Sequence, residues 1–129
     1  MQQQPCTLTI PRSEAERQLT KRIESGFRIL KSTKKSVNLA SLKDAFTEWT
    51  KQNETYLAQL YSCDEYLKTY KAWYGRISRL RVWSESEEIE VTVNELEYKI
   101  DVLENCLEEL ELIPERDIIT PYEMEDYYD

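Results

Sequence analysis

A chain of 129 residues has the length of one compact domain, and its 40% hydrophobic and 33% charged residues exclude outright disorder. Its two glycines and four prolines are too few for the turns of a many-stranded sheet, which favours an all-α fold. The formal net charge of −8 is unevenly divided along the chain, and the absence of histidine removes the commonest general base and transition-metal ligand. Composition therefore favours a helical binding protein over an enzyme.

The start of the chain and its cysteines indicate a cellular compartment. No run approaches the roughly 18 apolar residues that span a bilayer, so no membrane partner is expected. The first five residues have neither the basic nor the apolar region of a signal peptide, which predicts a cytoplasmic protein. The odd number and wide spacing of Cys6, Cys63 and Cys106 predict reduced, packed thiols rather than a disulfide framework or a metal-binding pair.

The first helix is predicted over residues 13–33, after an N-terminal arm of residues 1–12. Ser13 and Glu16 have the spacing of a capping box, in which each side chain accepts a hydrogen bond from the other residue's backbone N–H. An apolar stripe at helical spacing follows: Ala15, Leu19, Ile23, Gly26 with Phe27, and Leu30. This stripe predicts the buried face of the helix.

A second apolar stripe alternates steps of four and three residues, as one face of a helix does. Its members are Leu42, Phe46, Trp49, Asn53, Tyr56 and Leu60. Asn53 interrupts the stripe, and we expect it to fix the register or to hydrogen-bond a neighbour rather than to contact a ligand.

The third helix is predicted to open at a second capping box, Ser62-Cys63-Asp64-Glu65, and to end near Trp83. Its apolar stripe consists of Tyr66, Tyr70, Trp73, Ile77 and Leu80. Tyr66, Tyr70, Trp73 and Tyr74 form an aromatic cluster for which core packing is favoured over stacking on a base or a small ligand. Leu67 and Tyr74 lie to the side of the stripe and are candidates for a second interface.

The fourth helix has the most regular pattern in the chain: Ile89, Val93, Leu96, Ile100, Leu103, Leu107 and Leu110. This coiled-coil-like alternation predicts a helix–helix seam, which we place within one bundle rather than between chains. Its start also alternates apolar and polar residues as a short strand would. Pro114 ends the helix, so the sequence predicts a four-helix bundle over residues 13–113 and an acidic, tyrosine-containing tail or linker over 114–129.

The charge divides sharply along the chain. Residues 1–83 hold 15 Lys and Arg against 8 Asp and Glu, a net of +7, whereas residues 84–129 hold 2 against 17, a net of −15. The charged candidates for partner binding lie off the apolar stripes: Arg17, Lys21, Arg28, Lys31, Arg76, Arg79, Glu97, Asp101, Glu104, Glu108 and Glu111. Three interpretations stay open. The basic helices neutralise the acidic helix within one molecule, opposite faces meet between molecules, or the acidic helix occupies a groove that normally accepts phosphates.

No motif for catalysis is present. The chain has no glycine-rich phosphate loop and no Gly-x-Ser-x-Gly nucleophile motif. Carboxylate pairs one helical turn apart, such as Glu97 with Asp101, lack the Glu-x-x-His of helical di-metal sites and are interpreted as solvated charge. We expect no catalytic residue, cofactor or metal ion.

One resemblance is carried by hydrophobic spacing. The run Leu19-x3-Ile23-x2-Gly26-x3-Leu30 is followed by Leu42, Trp49 and Tyr56-Leu57-x2-Leu60. Over residues 13–83 this pattern resembles the helical modules that precede effector domains in some bacterial antiphage and nucleotide-signalling proteins. The resemblance implies docking or self-association, with the enzymatic work done by another domain or protein. The acidic last third of the chain has no counterpart in that pattern.

The sequence thus predicts a non-enzymatic helical module for protein–protein interaction or assembly, with an accessory role in bacterial defence. The expected partner is another protein or a second copy, and direct nucleic-acid binding is less favoured. The alternative is an acidic inhibitor that mimics nucleic acid and blocks a nucleic-acid-binding enzyme.

Overall fold

A computed structural model describes residues 5–35, 38–73 and 83–115, and within them the predicted all-α fold is confirmed. The helices are α1 (Arg12–Ser32), α2 (Leu39–Leu60), α3 (Glu65–Lys71) and α4 (Glu85–Glu109), and a 3-10 turn (Leu110–Leu112) follows α4. α1 packs most extensively on α4, and α2 and α3 close the bundle around the same core. None of the helices in these ranges is long and apolar enough to cross a membrane.

The predicted stripes of α1 and α2 form much of the core. The buried members are Ala15, Leu19, Ile23, Gly26, Leu42, Phe46, Trp49, Asn53 and Leu60. Two details differ from the prediction. Phe27 is 42% exposed, and Leu57 rather than Tyr56 is fully buried, because the core-facing line of each helix passes slightly to one side of the expected line. Because an α-helix repeats every 3.6 residues, the same apolar spacing fits both the expected and the observed core-facing line.

Both capping boxes predicted from the sequence are wrong. α1 begins at Arg12, so Ser13 lies inside its first turn, and the Pro11 carbonyl accepts the backbone N–H groups of Glu14 and Ala15. At α3, Asp64 is the N-cap residue and makes no side-chain cap bond. The hydroxyl of Ser62 instead accepts the backbone N–H of Thr7, 2.8 Å away. The Ser62 hydroxyl, which the local motif predicts as the cap of α3, is therefore bonded to Thr7 of the N-terminal arm.

The third helix is shorter than predicted. It ends at Lys71, and neither Ala72 nor Trp73 is helical. The remainder of the predicted stripe, Ile77 and Leu80, lies outside the described residues.

α4 is confirmed as one long helix, and the strand alternative at its start is wrong. Ser84 and Glu87 form a capping box there that the sequence analysis did not identify. The buried residues are Glu88, Thr92, Leu96, Lys99, Ile100, Val102, Leu103 and Cys106. Ile89, Val93 and Leu107 of the predicted seam are only half-buried. The polar residues Glu88, Thr92 and Lys99 are buried instead.

Residues 5–11 of the predicted arm pack against the end of the bundle. Leu8 is fully buried and pairs with Tyr61 and Glu115 in isolated bridges, and its N–H donates to the Pro114 carbonyl. A disulfide joins Cys6 to Cys63, with the two Cα atoms 5.2 Å apart, so the prediction of reduced thiols at these positions is wrong. Cys106 is a buried free thiol, as predicted. The disulfide arises because the arm returns to the α2–α3 connection, which spacing along the chain does not reveal.

Candidate interaction surface

The outer side of α4 carries a continuous line of carboxylates. Its members, which we call the acidic ridge, are Glu97, Asp101, Glu104, Glu108 and Glu111. At about 100° per residue, the four on α4 fall within roughly 60° of one another and lie about 100° around the helix from the centre of the buried line formed by Leu96, Ile100 and Leu103. All are exposed except Glu104, which is half-buried. Fourteen residues at about 1.5 Å each make the ridge roughly 21 Å long.

The acidic ridge has no compensating charge on its own helix, because the only basic residue of α4, Lys99, is 3% exposed and faces the core. Its ammonium group donates to the Tyr70 carbonyl at 2.9 Å, lies 4.3 Å from the centre of the Tyr70 ring and is 3.7 Å from a Glu95 carboxylate oxygen. Burial lowers the pKa of Lys99, and the neighbouring Glu95 opposes that shift. This lysine is therefore directed into the core, and it leaves the ridge without a basic residue on its own helix.

The burial of Lys99 belongs to a polar junction where α2, α3 and α4 meet. Asn53 is fully buried and donates from its amide to the Tyr70 hydroxyl at 2.9 Å, which confirms the prediction that it bonds a neighbour. Sequence reasoning missed Lys99 because a lysine was assumed to be exposed. The signal available was Glu95, one turn earlier on the same face, since a buried charge needs a partner within reach.

A second charged line runs along the outer side of α1. Its members, which we call the basic ridge, are the exposed residues Arg17, Lys21, Arg28 and Lys31. Arg17 is paired with Glu14 at 2.6 Å, and its hydrogen bond lowers the pKa of Glu14 to about 2. In the described residues, the ion pairs do not include Lys21, Arg28 or Lys31.

The two ridges are not in contact with each other. The Arg12 side chain donates to the carbonyls of Leu110 and Ile113, whereas Gly26 near the other end of α1 lies against Ile100, so α1 and α4 run antiparallel. At about 100° per residue, the basic ridge faces away from this contact, and the acidic ridge lies to the side of it. Throughout residues 5–35, 38–73 and 83–115, no ion pair joins the basic ridge to the acidic ridge.

The remaining predicted site residues are less accessible or lie outside the described ranges. Leu67 is half-buried and packs against the core. Tyr74, Arg76 and Arg79 lie outside the described residues. Core packing is confirmed for Tyr70, which is fully buried, and Tyr66 stacks on Tyr61 with ring centroids 4.2 Å apart.

Three features of the described part of the chain bear on its chemistry. No group of three or more Cys, Asp or Glu side chains there is placed to hold a metal ion. Burial raises the pKa of the Cys106 thiol to about 11, so this cysteine is a poor nucleophile near neutral pH. An open depression of about 300 Å³ between α1 and α2 is lined partly by Arg22, Glu48 and Trp49, without a pair of groups positioned for acid–base work.

Comparison with known proteins gives no relative. No family model matches the chain, and no curated protein or solved structure is significantly similar to it.

Proposed function

We propose that this protein is a non-enzymatic interaction module that binds a protein partner through the acidic ridge of α4. The observation that carries the proposal is a line of five carboxylates along α4 and the turn that follows it, four exposed and one half-buried, while the lysine of α4 is buried. Neighbouring like charges one turn apart destabilise a helix by about 0.2–0.5 kcal/mol per pair. A basic partner surface would relieve this repulsion on binding.

The support beneath the ridge is rigid, which favours binding over a flexible tether. Leu96, Ile100 and Leu103, on an adjoining side of α4, anchor the helix in the core. Arg12 donates to carbonyls at the C-terminal end of the helix, where a cation is electrostatically favourable. A fixed line of charge loses little conformational freedom when it binds, and it steers an oppositely charged partner during the encounter.

The biological setting is proposed from the resemblance of residues 13–83 to helical modules of bacterial antiphage proteins, which implies an accessory role in defence. The cytoplasmic location stays a prediction. The Cys6–Cys63 disulfide weighs against it, because disulfides persist mainly in oxidising compartments.

A second candidate function is an acidic inhibitor that imitates nucleic acid. One observation favours it: the ridge is a straight line of negative charge about 21 Å long, without a basic residue in it. Such a line could occupy a groove whose lysines and arginines normally contact phosphates.

The test compares two charge-reversal variants of the tagged protein, purified from its native cells and analysed by native mass spectrometry. The first variant changes Glu97, Asp101 and Glu108 to Lys. The control changes Glu16, Asp44 and Glu48 to Lys, three exposed positions on α1 and α2. Both variants add the same charge. A difference in partner capture between them therefore reports the loss of the acidic ridge and not the change in net charge. Circular dichroism verifies that each remains helical.

We expect the ridge variant to lose the partner that the wild-type protein and the control retain. A partner that is a nucleic-acid enzyme and that DNA or RNA displaces would favour the inhibitor function instead. Equal capture by all three proteins would show that the ridge is not the binding surface and that the proposal is wrong.

A further inference from the structure

The acidic and basic ridges share one spacing. Counted from its first residue, the acidic ridge has carboxylates at positions 0, 4, 7, 11 and 14. Arg17, Lys21, Arg28 and Lys31 occupy positions 0, 4, 11 and 14 of α1, and Glu24 occupies position 7. Two such helices laid face to face would place four pairs of opposite charge in contact and one pair of like charge, Glu24 against Glu104, at the centre. The positions coincide when the helices are parallel, and in antiparallel pairing two of the opposite-charge pairs are offset by one residue, about 1.5 Å.

From this complementarity we propose that the protein self-associates head to tail, with the basic ridge of one copy on the acidic ridge of the next. The inference rests on the proposed function, since it names the partner of the same acidic ridge. Because the ridges lie on different helices and no ion pair joins them in the described residues, each copy that uses one ridge leaves the other available. The contact is therefore heterologous, and it extends into chains of copies rather than closing as a two-fold dimer.

The exposed apolar residues favour a protein surface as the occupant. Among the described residues, the large hydrophobic side chains left exposed are Phe27, at 42%, and Leu112, at 81%. Phe27 precedes Arg28 of the basic ridge, and Leu112 follows Glu111 of the acidic ridge. Each ridge thus has an apolar side chain beside it that a protein partner would cover, whereas a phosphate backbone would gain little from either.

Charge also limits the strength of the contact. Exposed ion pairs are individually weak and are screened by salt. The formal net charge of −8 makes whole copies repel each other. We therefore expect reversible association that increases with protein concentration and decreases at high ionic strength.

The experiment is sedimentation velocity of the full chain at increasing protein concentration, in buffers with low and high sodium chloride. The wild-type protein should form species larger than a dimer at low salt and return to monomer at high salt. Reversal of the basic ridge (Lys21→Glu with Arg28→Glu) or of the acidic ridge (Asp101→Lys with Glu108→Lys) should abolish association. An equimolar mixture of these two variants should restore it, because one still carries the native acidic ridge and the other the native basic ridge.

Misfolding of the reversal variants would also abolish association, so a variant that should strengthen association is tested as well. Glu24→Lys replaces the central like-charge contact with an opposite-charge contact, and it should tighten association severalfold at low salt. Glu16→Lys is the matched control, because it adds the same charge to an exposed position of α1 outside the basic ridge. Equal effects of the two variants would mean that net charge alone controls association, and this would overturn the inference.

The outcomes separate this inference from the proposed function. A protein that stays monomeric at every salt and protein concentration, yet captures a cellular partner through the acidic ridge, overturns self-association and leaves the interaction module intact. Association that survives both ridge reversals also overturns the inference, since another surface would then join the copies. If the protein is monomeric and the variant with a reversed acidic ridge captures the partner as well as the wild-type protein does, both proposals fail.

Discussion

Gly26 lies where three helices come closest. A Cβ atom built on this residue of α1 would be 2.7 Å from Cζ2 of Trp49 and 2.9 Å from Cγ1 of Ile100. Trp49 is held in place by a hydrogen bond from its indole N–H to the Arg22 carbonyl, at 2.9 Å. Glycine is therefore used here for the close approach of α2 and α4 to α1, and the space for a methyl group is missing.

Gly26→Ala should lower the free energy of unfolding by up to about 2 kcal/mol. Alanine gains about 1 kcal/mol of helix propensity over glycine, but overpacking of a core costs about 1–3 kcal/mol. Urea denaturation followed by circular dichroism measures the difference. Ser25→Ala, at the preceding and less buried position, is the control and should change stability less. A rise in stability for Gly26→Ala would show that the helices are not packed this tightly.

At the scale of elements, the N-terminal arm joins the C-terminal ends of α2 and α4 at one end of the bundle. Thr9 donates to the Leu60 carbonyl at the end of α2, Leu8 donates to the Pro114 carbonyl beyond α4, and Ser62 donates to the Thr7 carbonyl. The disulfide closes the same region across 57 residues of sequence. The arm therefore links segments that the helices alone would leave joined only through the core.

Replacing both Cys6 and Cys63 with Ser should lower the free energy of unfolding by about 4 kcal/mol, the chain-entropy estimate for a loop of this length. Urea denaturation with and without a reductant measures this. Reductant should destabilise the wild-type protein and leave the double variant unchanged. A thiol count on denatured, unreduced protein from its own cells gives an independent reading, with one thiol expected, from Cys106. Three thiols would contradict the disulfide and favour the predicted cytoplasmic location.

The extent to which each element could be predicted follows from where its contacts lie. The positions of α1 and α2 follow from amphipathic repeats, because each helix buries one continuous face. The start of α3 was misassigned because the Ser62 hydroxyl bonds Thr7, 55 residues away. The seam of α4 was misjudged because it was drawn from apolar residues alone, whereas the polar residues Thr92 and Lys99 are also buried. Local pattern cannot distinguish a buried polar residue from a solvated one when its partner comes from another helix.

At the scale of the whole molecule, aromatic hydroxyl groups make the fold sensitive to alkali. Burial is the main cause that raises the pKa of Tyr56, Tyr61, Tyr66 and Tyr70, to about 12 for Tyr56 and Tyr66. The buried Cys106 thiol shifts in the same direction. An acid whose pKa is raised by folding contributes stability that is fully present below its unfolded pKa and is lost as the pH rises through the folded value. Lys99 acts in the opposite sense, but it is one group against five.

We therefore expect stability to decrease above about pH 10, the ordinary pKa of tyrosine, with cooperative loss of helix at higher pH. Absorbance of tyrosinate at alkaline pH and circular dichroism, measured on the same sample, follow ionisation and folding together. The late-ionising tyrosines should titrate as the helical signal disappears. Ionisation of every tyrosine near pH 10 with an unchanged helical signal would contradict the buried positions.

Which charged residues lie close together depends on the tertiary structure. The division into a basic first part and an acidic last part is a property of the chain, and three arrangements of it were compatible with the sequence. In the described residues no ion pair joins the two ridges, which leaves the acidic ridge without a basic partner on α1. Arg76 and Arg79, the other expected neighbours, lie outside those residues. Both proposals depend on this separation of charge.

The sequence by itself determined the helical class, the positions of α1, α2 and α4 and the outward placement of the charged ridges. These follow from repeats within single helices, where each residue's neighbours are three or four positions away. Only the tertiary structure decided the Cys6–Cys63 disulfide, the burial of Lys99 beside Tyr70 and the close approach at Gly26. Each of these depends on a partner at least 23 residues distant, and the free energy that fixes it comes from packing between elements rather than from the local chain.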